Sequence, residues 1–221
     1  MSRVTLSPML ARQSPISRML VALTRRPGAA LFAALVLASA WIAPAAAEPQ
    51  DFRIDKVHAQ VLFFVSHLGF SYPMGRFPGV EGTFVFDPED WSASHVEASI
   101  DVASLYLGDE KWQKKMLSDE FFDAKRYPQM RFVSEKVEST GKDTGKVHGQ
   151  LTLHGATRPV VLELRLNRIG RHSFSFGYAA GFSATAKLKR SDFGMKRLLP
   201  AVGDEIDIRL EIEGLRDKAG D

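Results

Sequence analysis

Apolar and polar residues alternate with a period of two over most of the chain, from about residue 56 to residue 212. This period is typical of strands that bury one face, because successive side chains of a strand point to opposite sides. About eight such runs follow one another, mostly across short turns, so neighbouring strands pair antiparallel. They can form a sandwich or a closed barrel, and runs of about nine to twelve residues favour the barrel. We therefore predict a single all-β domain, an eight-stranded antiparallel β-barrel.

One segment, residues 109–123, interrupts the alternation. Trp112, Met116 and Leu117 fall at helical spacing within it, and Ser118 is placed to cap a second short helix that carries Phe121. We predict a short helical insertion here, which is either a lid over one end of the barrel or a plain hydrophobic plug.

Residues 1–47 differ in composition from the rest of the chain. They hold five arginines and no acidic residue, and an apolar run of roughly 15 residues ends in the alanines at 45–47. We predict a cleaved signal peptide over 1–47, a β-barrel domain over 48–221, and export to the periplasm. A transmembrane anchor is the alternative, but a span needs about 20 apolar residues. Met19 opens a more compact leader, so translation starts at Met1 or at Met19.

Charge and composition exclude several classes of function. Without the leader the chain has 24 Lys and Arg against 26 Asp and Glu, with no clustered basic excess, so we predict no nucleic-acid partner. The absence of cysteine excludes a disulfide framework, a thiolate metal site and a thiol nucleophile. The six histidines form no H-x-H or H-E-x-x-H motif, and no G-x-S-x-G occurs. We predict no catalytic residue, no metal site and no cofactor.

The faces predicted to point into the barrel combine large and small side chains. The large ones are Phe63, Phe84, Phe86, Phe132, Phe174, Phe176 and Phe182, and the small ones are Ala59, Gly82, Ala98, Gly149, Ala184 and Ala186. An eight-stranded barrel is just wide enough to be filled by side chains or to hold one small ligand. The residue pattern leaves a filled barrel and an open channel equally possible. If the channel exists, Ala184→Trp or Gly149→Phe should block ligand uptake while the fold is retained.

Several motifs, each weak alone, occur in a specific order. They are Ile54-Asp55-Lys56-Val57-His58, Phe63-x-Val65-x-His67-x-Gly69, Gly82-x-Phe84-x-Phe86-Asp87-Pro88, Leu117-Ser118-Asp119-Glu120-Phe121-Phe122-Asp123, Leu151-Thr152-Leu153-His154-Gly155 and Arg190-Ser191-Asp192-Phe193-Gly194. Together they resemble the YceI-like family over about residues 52–213. The resemblance implies a lipocalin-like barrel, exported in many members, that binds a long polyisoprenoid or a similar amphiphile inside. Residues 109–117 depart from the family's pattern, which puts the head-group preference in doubt.

On this resemblance we predict a non-catalytic protein that binds a polyisoprenoid, a quinone or a similar long-chain lipid for transport, storage or stress protection. The predicted ligand-binding residues are Val61, Phe63, Val65, His67, Phe84, Phe86, Ile100, Met116, Phe121, Phe132, Leu151, Phe182 and Ala184. His67 either donates to a ligand carbonyl or is an ordinary histidine of the core or rim. The partners expected are the lipid and, transiently, a membrane or a membrane redox protein, and dimerisation through an exposed mouth stays open.

Three other interpretations remain at this point. The same barrel can belong to an enzyme that acts on an isoprenoid or fatty substrate. A filled barrel can serve as a stress or interaction module. An outer-membrane barrel also alternates, but there the polar face lines the lumen and the apolar face meets lipid.

Overall fold

The computed structural model describes residues 49–174 and 177–216, so the predicted signal peptide lies outside the described residues. One antiparallel sheet contains the strands β1 (Gln50–Ile54), β2 (Gln60–His67), β3 (Met74–Phe77), β4 (Val80–Phe86), β5 (His95–Asp101), β6 (Gln129–Ser139), β7 (Thr144–Leu153), β8 (Ala156–Arg171), β9 (Tyr178–Lys189) and β10 (Val202–Leu215). Helix α1 spans Glu110–Met116, and short 3₁₀ turns occupy Trp91–Ala93, Val102–Ser104 and Arg190–Phe193.

The sheet closes on itself through two interrupted strands. β1 and β2 lie end to end along one edge of β10, since Ile54 pairs with Gly214 and Gln60 pairs with Glu211. β3 and β4 continue each other in the same way along β2 and β1. Since β1 pairs with both β4 and β10, the strand order β1-β4-β5-β6-β7-β8-β9-β10 forms a ring. The predicted eight-stranded antiparallel barrel is confirmed.

The interruption between β1 and β2 corrects one sequence-based assignment. The alternation places Val57 on the inner face of a continuous strand, but its side chain is 82% exposed. Residues 55–59 turn instead, because the Asp55 carboxylate accepts hydrogen bonds from the Val57 backbone N–H (2.9 Å) and from the His58 side chain (2.6 Å). Such local bonds of aspartate compete with the strand ladder. Strand β2 begins at Gln60, with Ala59 buried just before it and Val61 facing inward.

The two faces of the sheet differ in polarity. The buried face is apolar and aromatic, whereas the outer face carries exposed ion pairs such as Arg131–Glu97 (2.7 Å) and Lys187–Glu205 (2.9 Å). This is the reverse of an outer-membrane barrel, whose polar face lines the lumen. Within residues 49–174 and 177–216, no helix combines the length and the hydropathy needed to cross a bilayer.

A buried arginine holds the corner between β9 and β10. The Arg190 guanidinium donates hydrogen bonds to the carbonyls of Met195 (2.6 Å), Val202 (2.8 Å) and Gly203 (2.8 Å). Burial lowers the pKa of this guanidinium and the Asp204 carboxylate opposes that shift. The buried guanidinium thus satisfies three backbone carbonyls without water, so Arg190 has a structural role at this end of the barrel.

The helical insertion is present but shorter than predicted. Asp109 caps α1 by accepting from the Trp112 backbone N–H at 2.8 Å. No second helix follows Ser118: its carbonyl accepts from both Phe121 N (3.0 Å) and Asp123 N (2.9 Å). These bonds close a tight turn rather than starting a helix, so the prediction of a helix over Phe121 is wrong.

Candidate functional site

The barrel interior holds a cavity of about 820 Å³. Every strand and α1 contribute to its wall, which is almost entirely apolar. Its lining follows β10 from Val202 to Ile212, about 33 Å along the strand at about 3.3 Å per residue. The volume falls in the range of about 300 to 1,000 Å³ that is typical of small-molecule sites. The site is therefore a long apolar bore and not a filled core.

Two aromatic rings on the wall occupy space that glycines leave free. A Cβ added at Gly75 would lie 2.2 Å from the Phe63 ring, and one at Gly214 would lie 2.3 Å from the Phe84 ring. Phe63 of β2 pairs directly with Gly75 of β3, whereas the Phe84 ring of β4 reaches past β1 to Gly214 of β10.

Aromatic contacts also cross the interior between β4 and β9. The Phe84 and Phe86 rings meet the Phe182 ring edge-on, with centroids 5.6 Å and 5.0 Å apart. These three rings therefore narrow the cavity at this level.

Gly149 belongs to the same arrangement, and this changes one expectation. A Cβ there would lie 2.5 Å from the Phe132 ring and 2.4 Å from the backbone oxygen of Val133. A ring can rotate away from a new side chain, but the sheet backbone cannot move as easily. We therefore expect Gly149→Phe to strain the sheet, whereas the sequence alone predicts that it spares the fold.

One wall of the bore carries two small side chains. On the inward face of β9, Ala184 and Ala186 follow Phe182, and all three residues are buried and line the cavity. Ala184 pairs with Leu210 of β10 and Leu164 of β8, which line the cavity too. The two alanines leave open the space that bulkier side chains would fill.

The structure brings every predicted ligand-binding residue to this one cavity. The residues that line it include Val61, Phe63, Val65, His67, Phe84, Phe86, Ile100, Met116, Phe121, Phe132, Leu151, Phe182 and Ala184. That they contact a ligand remains a prediction. Phe174 was expected to point inward as well, but it lies in the turn after β8 and is 89% exposed. Phe176 lies outside the described residues.

The segment after β5 covers one end of the bore. Trp112 and Met116 of α1 line the cavity together with Phe121 and Phe122. The Phe122 ring meets the Phe77 ring edge-on, with centroids 5.5 Å apart. The aromatic residues of the insertion therefore pack onto the barrel wall, as expected of either a lid or a plug.

Polar groups are confined to the ends of the cavity. His67 lies at the exposed end of β2, beside Ser71, and Lys115 of α1 borders the same opening. Ser94 and His95, where β5 begins, lie at the opposite end. The wall between the two ends can hold an apolar chain, while the ends can meet a polar head group.

Sequence reasoning missed two sets of lining residues. The alternating side chains of β10 (Ile206, Ile208, Leu210 and Ile212) line the bore but were not named as ligand contacts, although their period of two was visible. Leu107, Met195 and Leu198 come from connections without a period, so no sequence signal marked them.

Comparison with known proteins places the chain in a family. Residues 52–214 match the model of the YceI-like domain. A UPF0312 protein of Pseudomonas savastanoi pv. phaseolicola is 39% identical over 188 residues, which is 84% of this chain and 97% of that protein. A UPF0312 protein of Azotobacter vinelandii is 38% identical over 186 residues, covering 83% of this chain and 96% of that protein.

Solved structures show the same fold. BcnA of Burkholderia cenocepacia is 26% identical with a TM-score of 0.66, covering 72% of this chain and 98% of that one. A polyisoprenoid binding domain from Saccharophagus degradans is 14% identical with a TM-score of 0.57, covering 75% of this chain and 98% of that domain, and at this identity it shows the fold alone. The match over residues 52–214 and the curated relatives establish that the chain belongs to the YceI-like family.

Proposed function

We propose that the protein is an exported binding protein that holds a long-chain amphiphilic lipid, such as a polyisoprenoid or a quinone, inside its barrel without catalysis. The observation that carries the proposal is the apolar cavity of about 820 Å³ that runs along the barrel. Each Å² of apolar surface removed from water contributes about 25 cal/mol, so a long chain gains from burial over its whole length. Association and ordering costs offset part of this gain.

Two further features support this proposal. The polar side chains His67, Ser71 and Lys115 at one opening suit a head group, while the apolar wall suits the tail. The basic and apolar composition of residues 1–47 supports export to the periplasm, where a carrier would keep a water-insoluble lipid dispersed for transport or storage.

Organic extraction of the purified protein, followed by mass spectrometry, tests the proposal. We expect a co-purified long-chain amphiphile near one molecule per chain, or uptake of an added isoprenoid to the same level. An extract without lipid, together with no uptake, would show that the barrel serves as an interaction module instead. Chemical conversion of the bound lipid over time would show that the protein is an enzyme.

The opening of the cavity is surrounded by exposed apolar side chains, which fits contact with a bilayer. Phe70 is 89% exposed, Tyr72 65% and Leu68 55%, all in the turn between β2 and β3. Leu198, in the β9–β10 connection, is 47% exposed and also lines the cavity. A lipid that passes directly from a bilayer into this opening never crosses water, so we propose that the opening faces the membrane during loading.

Co-flotation with phosphatidylcholine–phosphatidylglycerol vesicles tests this contact. We expect the double variant Phe70→Ser, Tyr72→Ser to lose most of its vesicle binding, because each substitution removes an apolar side chain from the interface. Phe174→Ser is the matched control, since Phe174 is equally exposed but lies at the opposite end of the barrel. Equal flotation of all variants would exclude the contact. Loss of a dimer in the double variant, measured by sedimentation, would assign the surface to a second copy instead.

A further inference from the structure

Three side chains of metal-binding type meet on the outer face of the barrel, and His172 lies beside them. Asp55 and His58 belong to the turn between β1 and β2, Glu213 to β10, and His172 to the end of β8. One donor atom from each of Asp55, His58 and Glu213 lies within 4.8 Å of the other two. His172 Nε2 lies 3.2 Å from Glu213 Oε1, but its donor atoms are not within 4.8 Å of those of all three other residues, so it borders the group.

The cluster has the charge of an ion site. Glu213 Oε1 is buried and accepts no hydrogen bond from the described residues, and the contact given for it is the ion pair with His172 Nε2 at 3.2 Å. The His58 and His172 side chains border one recess of about 400 Å³ beside Glu213, so an ion has a route of entry. The two carboxylates of Asp55 and Glu213 carry a charge of about −2, which balances a divalent cation.

We propose that Asp55, His58 and Glu213 bind one Zn²⁺ ion, and that His172 or a water molecule completes its coordination. Nitrogen and carboxylate oxygen ligands in a tetrahedral arrangement suit zinc, with bonds of about 2.0 to 2.2 Å and ligand atoms about 3.3 Å apart. The His172–Glu213 separation of 3.2 Å already fits this spacing. The Asp55–His58 pair, now 2.6 Å apart, must open by less than about 1 Å to share the ion.

The position of the site gives the ion a structural consequence. Its ligands come from the turn that interrupts the first strand and from β10, the strand that closes the ring, and His172 borders them from the end of β8. A bound ion would join the turn to β10 near the β1–β10 seam. Binding to the folded chain alone raises its thermal stability, so the ion should raise the unfolding temperature.

Zinc binding is tested on the untagged protein after chelator treatment. We expect about one zinc per chain after dialysis, measured by mass spectrometry of the metal, and visible absorption typical of a tetrahedral site with Co²⁺. His58→Ala and Glu213→Gln should each weaken zinc binding at least about tenfold. His148→Ala is the matched control, because His148 is also paired with a surface glutamate (Glu138, 2.9 Å) but lies outside the cluster.

The outcomes separate this site from the lipid cavity. Circular dichroism should show that each variant is folded, and Glu213→Gln should still take up lipid, because Glu213 does not line the cavity. Less than about one tenth of a zinc ion per chain, or binding that His58→Ala and His148→Ala reduce equally, would overturn the proposal. An unchanged unfolding temperature with zinc bound would remove the stabilising role.

Discussion

At the scale of the residue, glycines leave room for phenylalanine rings on the wall of the bore. Phe63 lies over Gly75, Phe84 over Gly214 and Phe132 over Gly149. Each of these rings takes the space that a Cβ would occupy, although the Phe84 ring also meets Phe182 across the interior. The openness of the interior therefore depends on which facing position lacks a side chain, as well as on the total volume of the side chains.

Alanine substitutions at two of these glycines should have different effects. Gly75→Ala meets the end of the Phe63 ring, which can turn into the bore, so we expect weaker lipid binding and little loss of stability. Gly149→Ala meets the Val133 backbone oxygen at 2.4 Å, so we expect a loss of about 1 to 3 kcal/mol. Lipid titration gives the binding affinity of both variants, and denaturant unfolding gives their stability. Equal stability of the two variants would contradict the explanation.

The alanines of β9 give a direct test of the cavity. Ala184→Trp places a large side chain into the bore, so we expect lipid uptake to fall at least about tenfold while the barrel remains folded. Thr185→Trp is the control, because Thr185 is the exposed outward neighbour. A fluorescent isoprenoid titrated into each variant gives the affinities. Normal uptake by Ala184→Trp would place the ligand elsewhere.

At the scale of the element, α1 and the turns after it act as a cover over the bore. The helix has only seven residues and buries none of them fully, so packing onto the barrel and the Asp109 cap must hold it in place. The ring contact between Phe122 and Phe77 anchors the end of this segment. An element with so little buried surface is expected to open locally more easily than the strands around it.

Trp112 should report the ligand from its position on the cover. It lines the cavity and is 36% exposed, so a bound lipid changes the surroundings of its ring. We expect its fluorescence to shift to shorter wavelength on lipid binding and the shift to disappear in Trp112→Phe. Trp91→Phe should retain it, because Trp91 is already 5% exposed and packs against Phe86. A shift that survives Trp112→Phe would mean that the lipid does not reach the cover.

At the scale of the whole molecule, the strands form a closed ring in which β1 pairs with both β4 and β10, and charge pairs lie on its outer face. Glu138 of β6 is held by Lys136 and His148, and these contacts lower the pKa of its carboxyl from 4.5 to about 2. Hydrogen bonds from Lys115 and Arg197 likewise lower the pKa of Glu120. Because these carboxylates are exposed, each pair contributes little and is screened by salt.

These pKa shifts predict the response of the barrel to acid. A carboxyl whose pKa is lower in the folded state stabilises the fold above its unfolded pKa and loses that contribution as the pH falls. For Glu138 the window runs from about pH 4.5 down to about pH 2. We expect the unfolding temperature to fall across this window, less steeply in Glu138→Gln and less steeply in high salt. A slope unaffected by the substitution would assign the acid sensitivity to other groups.

Much of this architecture could be read from the alternation. Each strand buries one face, so the inward positions from Val61 on β2 to Ala184 on β9 follow from their period. The period of two predicts the wrong side-chain direction in two places. At Asp55, local hydrogen bonds replace the hydrogen bonds between strands, and at Phe174 the chain has already left the strand for a turn. The turns that follow α1 were not predicted. The Ser118 carbonyl accepts hydrogen bonds from Phe121 N and Asp123 N, and these bonds close a turn where a second helix was expected.

Sequence pattern alone therefore predicted the class of fold, the family and most of the inner face, since these depend on local periodicity and on motif order. Whether the bore is open depended on which glycine lies beneath which ring, and that pairing joins residues of different strands. The side chains that meet at Glu213 are a similar case, because they come from three distant segments. Only the closure of the sheet brings such residues together, so their contacts cannot be predicted from spacing along the chain.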